Sequence, residues 1–384
     1  MAKEAAQARK SDDSAKQTVT FVGCDDGHDS IKIVARECEV QPDGSLKQVN
    51  AVQLTMPSKV VRGNKVLALT NENEGGGIYI TDDEGDGEQA FTVTDSLSQS
   101  DVIDTRTISY PTSSVNRVLI HDALIQAGLG GKDVRIVTGL PVDNYYLRNG
   151  SERNIALIEA KKKNLLEGKI RPLNKNKSAA NIVTHNVACE GIAAVFDMAI
   201  NEDGSDNREF FDLLSEGPVG VIDIGGKTID LAVAFIERGQ HQIDRSRSSS
   251  IEFGMLKLMG AIGDEIAKSF DITDIPPRLM LRVLKEGRLK ISGEWTEVRS
   301  EVDKAVARCM QDISGRLRAA WTKPYDLGKI IVVGGGAYTL AEPIKTGLYS
   351  QAEARSEPEY ANARGMLKLA MSAYVRSAQR ATSE

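Results

Sequence analysis

Two short segments of the chain repeat one arrangement of aspartate and glycine. Residues 21–32 and 219–230 each begin with an apolar run typical of a buried strand, and the runs end in Asp25 and Asp223. In both segments a glycine follows two positions later, and a polar turn leads into another apolar run. Glycine lets backbone N–H groups approach a phosphate, and an aspartate at a strand end can hold hydrated Mg²⁺. Each segment alone is also typical of an ordinary hairpin turn, but the pair favours a phosphate and metal site.

A third segment, residues 329–337, is an apolar strand pattern that runs into three glycines and a helix-like stretch. Such a turn lets an adenine base and an α-phosphate rest on the backbone. It is also a common connection between a strand and a helix. The order and spacing of the three segments favour a nucleotide site, for which this segment supplies Gly334, Gly335, Gly336 and Ala337.

The length and composition predict a folded protein of two domains. The chain has 384 residues, which exceeds the roughly 250–300 residues at which single cores stop growing. Its aromatic content of 5% is low for a surface that stacks on bases, and its net charge of -6 lacks the basic footprint of a DNA-binding domain. We therefore expect any contact with DNA to be indirect.

The cysteines and the chain start favour a soluble protein in a reducing compartment. The cysteines are scattered, with no C-x-x-C pair, so neither a zinc site nor a disulfide framework is expected for Cys24, Cys38, Cys189 and Cys309. Residues 1–17 are polar and lack the apolar core of a secretory signal, which predicts a flexible tail. No run approaches the roughly 20 apolar residues of a membrane span. We expect a cytoplasmic protein without membrane contact.

Hydrophobic spacing predicts the elements that position the three segments. We expect strands at residues 18–23, 31–37 and 134–140, and helices at 115–124, 254–270, 277–287, 297–321 and 360–377. The stretch from residue 41 to about 100 is predicted to be a small β-rich subdomain, with loose turns at 75–77 and 82–87.

Two helical patterns carry charged residues of interest. A helix that continues through Lys161, Lys162 and Lys163 favours a solvated face over an anion site. A helix at about residues 186–200 is predicted to hold Glu190 in apolar surroundings, where a carboxylate must be paired or functional because an isolated buried charge is costly.

With these features the chain resembles the ParM/StbA family of plasmid-segregation ATPases, within the actin, Hsp70 and sugar-kinase superfamily. Further segments that carry the resemblance are residues 138–149, 158–164 and 362–366, and the match spans about residues 20–370. The resemblance implies an α/β, actin-like (ribonuclease H-like) fold of two domains with the nucleotide in the cleft. The implied division is a tail at 1–17, domain I at 18–216 with its subdomain at about 41–100, domain II at 217–359, and a C-terminal helix at 360–384 that returns to domain I.

The resemblance also implies roles for single residues. Asp25 and Asp223 match the aspartates that hold Mg²⁺ through water, and Lys32 matches the lysine that reaches toward the phosphates. Glu190 falls where the family has its water-activating glutamate, so Glu190 and Asp223 are the catalytic candidates. The alternative is that Glu190 is a salt-bridged helix residue. The turns expected to cradle phosphate comprise Gly27, His28, Asp29, Gly225, Gly226, Lys227 and Thr228.

Two of these residues depart from the family pattern. His28 stands where many relatives have a small hydroxyl residue, and Lys227 occupies a usually small or polar position. Backbone N–H groups can serve such a site, so His28 is interpreted as a neutral change. For Lys227 two interpretations remain open, a neutral change and a direct contact with phosphate.

The implied function is an ATPase that uses ATP and Mg²⁺ and polymerises into helical filaments to segregate plasmid DNA. Its expected partners are further copies of itself and a DNA-binding adaptor at a plasmid centromere. Another bacterial actin-like cytoskeletal or scaffold protein is the closer alternative, and a small-molecule kinase of the superfamily is the second. An Hsp70-like regulator would need a peptide-binding appendage, and no such segment follows the last predicted helix.

Overall fold

The structure is a computed structural model that describes residues 17–65, 77–83, 87–94, 101–147, 151–272, 275 and 277–381. Parts of the sequence-based predictions lie outside these residues. They are the N-terminal tail up to residue 16, the glycines at 75 and 76, residues 84–86 of the second loose turn, residues 148–149 of the family segment and residues 382–384.

The described strands form four sheets. A five-stranded sheet has the order β3-β2-β1-β7-β9, and a second sheet has the order β12-β11-β10-β16-β17 with β13 paired to β11. A four-stranded sheet has the order β4-β6-β5-β8, and β14 pairs with β15. The strands are β1 (Thr18–Asp26), β2 (Ser30–Val40), β3 (Leu46–Pro57), β4 (Val60–Arg62), β5 (Ile78–Asp83), β6 (Gly87–Val93), β7 (Asp133–Leu140), β8 (Ile170–Pro172), β9 (Asn181–Cys189), β10 (Val219–Ile224), β11 (Ile229–Glu237), β12 (Gln240–Ile243), β13 (Ser249–Ile251), β14 (Arg288–Ile291), β15 (Glu294–Glu297), β16 (Lys329–Val333) and β17 (Ala352–Ala354).

The helices pack around the sheets. They are α1 (Ser114–Gln126), α2 (Val142–Tyr145), α3 (Ile155–Leu166), α4 (Ile192–Ala199), α5 (Arg208–Glu216), α6 (Met255–Phe270), α7 (Pro277–Glu286), α8 (Arg299–Ala320), α9 (Ala337–Gly347) and α10 (Ala361–Ala381). The helices predicted at 115–124, 254–270, 277–287, 297–321 and 360–377 are confirmed to within a few residues. In the described part of the chain, no helix is both long and apolar enough to cross a membrane.

The two large sheets repeat one topology, as the paired sequence segments predict. Strand β1 forms an antiparallel hairpin with β2 and pairs in parallel with β7. Strand β10 likewise pairs antiparallel with β11 and parallel with β16. The register of each hairpin sets its aspartate opposite a charged residue, Asp25 opposite Lys32 and Asp223 opposite Asp230.

The predicted helix at residues 186–200 is wrong. Residues 186–189 belong to β9, which pairs in parallel with β7, and the helix α4 begins only at Ile192. Between them Gly191 has a φ of 71°, a conformation that suits glycine and changes the direction of the backbone between strand and helix. The apolar spacing of the segment is therefore split between a strand face and a short helix, and Glu190 lies at the turn that joins them.

The small β-rich region differs in extent from the prediction. Strand β3 pairs with β2 and extends the five-stranded sheet, so residues 46–57 do not belong to a separate unit. The four-stranded sheet instead takes its last strand, β8, from residues 170–172. Pairing between segments distant in sequence decides this arrangement.

Helix α10 packs on the five-stranded sheet. Its buried residues Ala363, Leu367 and Met371 form one cluster with residues of β1 and β2. The contact requires glycine at Gly23 of β1, because a Cβ there would overlap the carbonyl oxygen of Ala363. Helix α10 approaches α4 equally closely, because a Cβ at Gly365 would overlap the carbonyl oxygen of Ala193. The end of the chain therefore covers the sheet that its beginning forms.

Candidate active site

The three glycine-containing segments meet at one cleft of about 2160 Å³. The turns after β1, β10 and β16 all line it, although the second and third turns lie about 200 and about 300 residues after the first in the sequence. Asp25, Lys32, Glu190 and Asp223 line it as well. The cleft thus brings together most of the residues that the sequence predicts for a nucleotide site.

The first turn presents an ion pair. Lys32 Nζ donates to Asp25 Oδ2 at 3.1 Å, and the two side chains are 12% and 10% exposed. Burial lowers the pKa of Lys32, but the carboxylates of Asp25, Asp223 and Asp29 together outweigh this and raise the pKa overall. The lysine is therefore held as a cation at the cleft wall. Ser58 stabilises the turn by donating from Oγ to the carbonyl of Gly27 at 2.7 Å.

The second turn presents a buried carboxylate. Asp223 is 4% exposed, and its Oδ2 accepts a hydrogen bond from Asn362 Nδ2 at 2.6 Å. Burial and then the neighbouring carboxylates Asp25 and Asp230 raise the pKa of Asp223 to about 7. The proximity of like charges makes a cation favourable at this place.

Glu190 lies at the end of β9, half-buried in the cleft. Its backbone N–H donates to the carbonyl of Leu140 at 2.8 Å, which fixes the turn. Burial and then the carboxylates of Asp25, Asp230 and Asp26 raise the pKa of Glu190 well above its usual range. Among the described residues, Glu190 forms no ion pair, so its interpretation as a salt-bridged helix residue is not supported.

The cleft wall contains a buried ion pair that the sequence interpretation missed. Lys161 Nζ donates to Asp26 Oδ2 at 2.7 Å and to the carbonyl oxygen of Gly139, and the two charged side chains are 2% and 1% exposed. Asn116 Nδ2 donates to the same Asp26 oxygen at 2.7 Å. The prediction of a solvated face is therefore wrong for Lys161.

The other lysines of the run match that prediction. Lys162 pairs with Glu159 at the helix surface, and Lys163 is 69% exposed beside Glu167. Burial of Lys161 depends on Asp26, which is 135 residues distant in the sequence. The residues around Lys161 in the sequence therefore do not predict this partner.

Asp230 and Asn362 are further site residues that sequence reasoning did not single out. Asp230 accepts hydrogen bonds from Thr228 Oγ1 at 2.8 Å and from the backbone N–H of Val142 at 3.0 Å. It joins the second turn to the end of β7. Its position seven residues after Asp223, in the repeated segment, was the available signal.

The glycine run after β16 serves two purposes. Gly334 has a φ of 81°, and a Cβ there would overlap Oδ1 of Asp223, so only glycine fits. Gly335 is open to the cleft. Gly336 and Ala337 are buried against other residues and do not line the cleft, whereas Tyr338 and Thr339 of α9 do.

The remaining predicted residues lie where the first two turns meet. A Cβ on Gly226 would lie 2.7 Å from the Cβ of Asp29, so the turns are in contact. The N–H of Gly225 donates to the carbonyl of Thr228 at 2.9 Å and closes the second turn. Burial lowers the pKa of His28, which keeps the imidazole neutral at pH 7.

The oxygen donors fit a hydrated Mg²⁺ ion. Carboxylates are the hard ligands that Mg²⁺ prefers, and the ion usually keeps several of its waters. Asp25 and Asp223 could hold such an ion through water. Within the described residues, no group of three or more His, Cys, Asp or Glu side chains is arranged to ligate a metal directly.

Comparisons with known proteins agree with this architecture. The family model "Plasmid segregation protein ParM, N-terminal" matches residues 76–201, and "Archaeal actin homologue MreB-like, C-terminal" matches residues 221–346. No curated protein sequence matches the chain.

Solved structures match nearly the whole chain. The actin-like protein Alp7A matches with a TM-score of 0.70 at 14% identity, covering 95% of this chain and 98% of that one. A 15-stranded ParM filament from Clostridium botulinum matches with a TM-score of 0.68 at 18% identity, covering 92% and 99%. An archaeal actin homologue in complex with ADP matches with a TM-score of 0.64 at 18% identity, covering 94% and 99%.

The predicted actin-like α/β fold and the resemblance to ParM/StbA are thus confirmed. The low identities to the solved structures show the fold, and the two family models match separate segments, residues 76–201 and 221–346. The chain is actin-like in fold, and its two matched segments are of the ParM N-terminal type and the MreB-like C-terminal type.

Proposed function

We propose that this chain is an ATPase that polymerises into nucleotide-dependent filaments and segregates plasmid DNA through a DNA-bound adaptor. The observation that carries the proposal is the meeting of the Asp25 turn, the Asp223 turn and Glu190 at one cleft. The similarity to a ParM filament and to an ADP-bound actin homologue supports it.

In this proposal the chain's own residues bind and orient the substrate. Asp25 and Asp223 would hold Mg²⁺ through its water shell, and Lys32, a cation paired with Asp25, would lie near the phosphates. The N–H groups of the two glycine turns cradle the phosphate oxygens. A bound Mg²⁺ supplies charge neutralisation for the transferring phosphoryl group.

Glu190 orients the attacking water. Phosphoryl transfer needs little covalent participation, so a carboxylate that accepts a hydrogen bond from the water is sufficient. Glu190 comes from the turn after β9, a different strand from those that carry the two metal-site aspartates.

Hydrolysis would be coupled to assembly through the cleft. The first turn belongs to the five-stranded sheet and the second turn to the sheet built around β10, so a nucleotide in contact with both sets their relative angle. ATP favours the conformation whose ends match the next subunit, and hydrolysis weakens that match. Such head-to-tail contacts produce an open helical filament.

The experiment that tests this proposal combines sedimentation, electron microscopy and phosphate release. The purified protein is incubated with Mg²⁺ and ATP, ADP or no nucleotide, and pellets are inspected for filaments. We expect filaments with ATP, phosphate release without any acceptor molecule, and faster filament loss after ATP is exhausted. Filaments that form equally with ATP, with ADP and without nucleotide would contradict the proposed ATPase, and so would an absence of phosphate release.

The role in segregation needs a separate test. A low-copy plasmid that carries the gene with its neighbouring sequences is followed through generations without selection. Replacing the gene with its Asp223→Asn form should raise the rate of plasmid loss. An unchanged rate would favour the alternative, another actin-like cytoskeletal protein.

A further inference from the structure

One stretch of chain contacts both phosphate turns. Residues 104–108, here called the bridging segment, lie between the four-stranded sheet and helix α1. Thr105 exchanges two hydrogen bonds with the first turn, because its carbonyl accepts from His28 Nδ1 at 2.7 Å and its Oγ1 donates to the carbonyl of His28 at 2.7 Å. Thr105 is only 5% exposed, so these hydrogen bonds are shielded from water.

The adjacent residue of the bridging segment contacts the second turn. Lys227 Nζ donates to the carbonyl oxygen of Arg106 at 3.0 Å. His28 of the first turn and Lys227 of the second turn therefore hold the same stretch of chain.

The bridging segment lies at the rim of the cleft. Thr107 and Ile108 line the cavity, yet Ile108 is 88% exposed. The residue just before the segment is tied to the four-stranded sheet, since the N–H of Ile103 donates to the carbonyl of Val60 at 2.9 Å. The hydrogen bond from Lys227 consequently joins parts of the molecule that are built on different sheets.

We propose that Lys227 is a positioning residue that fastens the bridging segment across the two phosphate turns, and that this fastening slows nucleotide release. The inference rests on the proposed function, because it concerns the same cleft. A nucleotide held between two turns leaves when the turns separate. Separation breaks the hydrogen bond from Lys227 to Arg106 or the two hydrogen bonds between Thr105 and His28.

The Arg106 acceptor is a backbone carbonyl, so the side chain to change is the donor. Lys227→Met removes the charge and the donor while keeping a side chain of similar length. Lys227→Arg keeps both. Thr105→Val has nearly the same shape as threonine but lacks the Oγ1 donor. Lys162→Met removes a lysine at the surface of α3 and is the control.

The experiment measures the dissociation of N-methylanthraniloyl-ADP from the full chain with Mg²⁺, after a chase with excess ADP. We expect Lys227→Met to release the probe about tenfold faster, a loss of about 1.4 kcal/mol. Lys227→Arg should release the probe nearly as slowly as the unmodified chain, and Lys162→Met should release it at the same rate as the unmodified chain. Equal melting temperatures would show that the variants remain folded.

A double-mutant cycle separates fastening from direct phosphate contact. Thr105→Val removes one of the two hydrogen bonds between Thr105 and His28 and so weakens one end of the connection. If the bridging segment acts as one connection, the effects of Thr105→Val and Lys227→Met should be less than additive. Fully additive effects would overturn the proposal in favour of a direct contact. Unchanged release by Lys227→Met would overturn it outright. If the unmodified chain bound no probe, the proposed function would fail and this inference with it.

Discussion

Glu190 lies directly against Gly139 at the end of β7. A Cβ atom on residue 139 would be 2.7 Å from Glu190 Oε1, so the carboxylate occupies space that only glycine leaves open. Gly139 is itself held by the buried ion pair, since its N–H donates to Asp26 Oδ1 at 3.2 Å and its carbonyl accepts from Lys161. The position of the catalytic candidate therefore depends on the ion pair between Lys161 and Asp26.

Replacing Glu190 should separate nucleotide binding from hydrolysis. In Glu190→Gln the side chain keeps its size but becomes a weaker acceptor for the water proton, and general-base contributions are about 10²–10⁴-fold. We expect phosphate release to fall at least about 100-fold while nucleotide affinity changes little. Filaments formed with ATP should persist, because loss of the γ-phosphate is what destabilises them.

The control for this variant is Glu159→Gln, which changes an exposed glutamate paired with Lys162. It should release phosphate at the original rate. Phosphate release by Glu190→Gln at an unchanged rate would remove Glu190 from the mechanism.

Asp223→Asn should weaken the response to Mg²⁺. The amide keeps the hydrogen-bonding partner Asn362 in reach but lacks the charge that holds the water shell of the ion. We expect the Mg²⁺ concentration for half-maximal phosphate release to rise at least about tenfold, as for other lost metal partners. Asp212→Asn, at an exposed position of α5, is the matched control. Equal Mg²⁺ dependence in the two variants would exclude Asp223 from the metal site.

The buried pair of Lys161 and Asp26 should matter for stability as well as for geometry. Lys161→Met leaves the Asp26 carboxylate buried without its cation, and breaking a buried pair in this way costs about 3–5 kcal/mol. Lys163→Met, at a surface pair, should change the free energy of unfolding by at most about 1 kcal/mol. Urea denaturation monitored by circular dichroism measures both. A loss for Lys161→Met no larger than that of Lys163→Met would show that the pair is not stabilising.

The sequence predicted those parts of the site that local chemistry determines. The two aspartate and glycine turns are encoded within a dozen residues each, so their repetition was visible without a fold. Glu190 was placed on a helix because its apolar neighbours have helical spacing. Pairing with β7, a contact between distant segments, makes that stretch a strand instead.

Distant contacts account for the other discrepancies too. Lys161 has the sequence neighbourhood of a surface lysine, and only the fold brings Asp26 to it. Gly336 belongs to a run typical of a nucleotide turn, but Ile224 occupies the space beside it. Spacing along the chain identifies a turn and does not specify which of its faces the tertiary structure covers.

The buried histidines predict a pH dependence of stability. Burial, followed by the charge of Arg117, lowers the pKa of His121 to about 4 from its usual 6.5. Between these values the unfolded chain binds a proton that the folded chain does not, so stability falls as pH falls. The slope for this one group is about 1.4 kcal/mol per pH unit.

A difference measurement isolates that contribution, because raised carboxylate pKa values such as that of Asp223 act in the opposite direction. The free energy of unfolding is measured for the protein and for His121→Gln between pH 7 and pH 4.5. The protein minus the variant should decrease as the pH falls below about 6.5, by about 2 kcal/mol over the range. A difference that stays constant with pH would show that His121 titrates normally in the folded chain.

The last prediction concerns DNA. The net charge of -6 gives no overall attraction to a polyanion, and the lysine run at residues 161–163 is the one feature of the sequence that could contact DNA phosphates. In the structure Lys161 is buried, and Lys162 and Lys163 each lie beside a glutamate. We therefore expect no appreciable binding of duplex DNA by the purified protein at physiological salt, measured by fluorescence anisotropy. In contrast, adding an adaptor with its centromere should recruit the DNA to filaments formed with ATP. Tight and salt-sensitive binding by the protein alone, lost in the variant with Lys162→Gln and Lys163→Gln, would replace the adaptor by a filament that carries DNA directly.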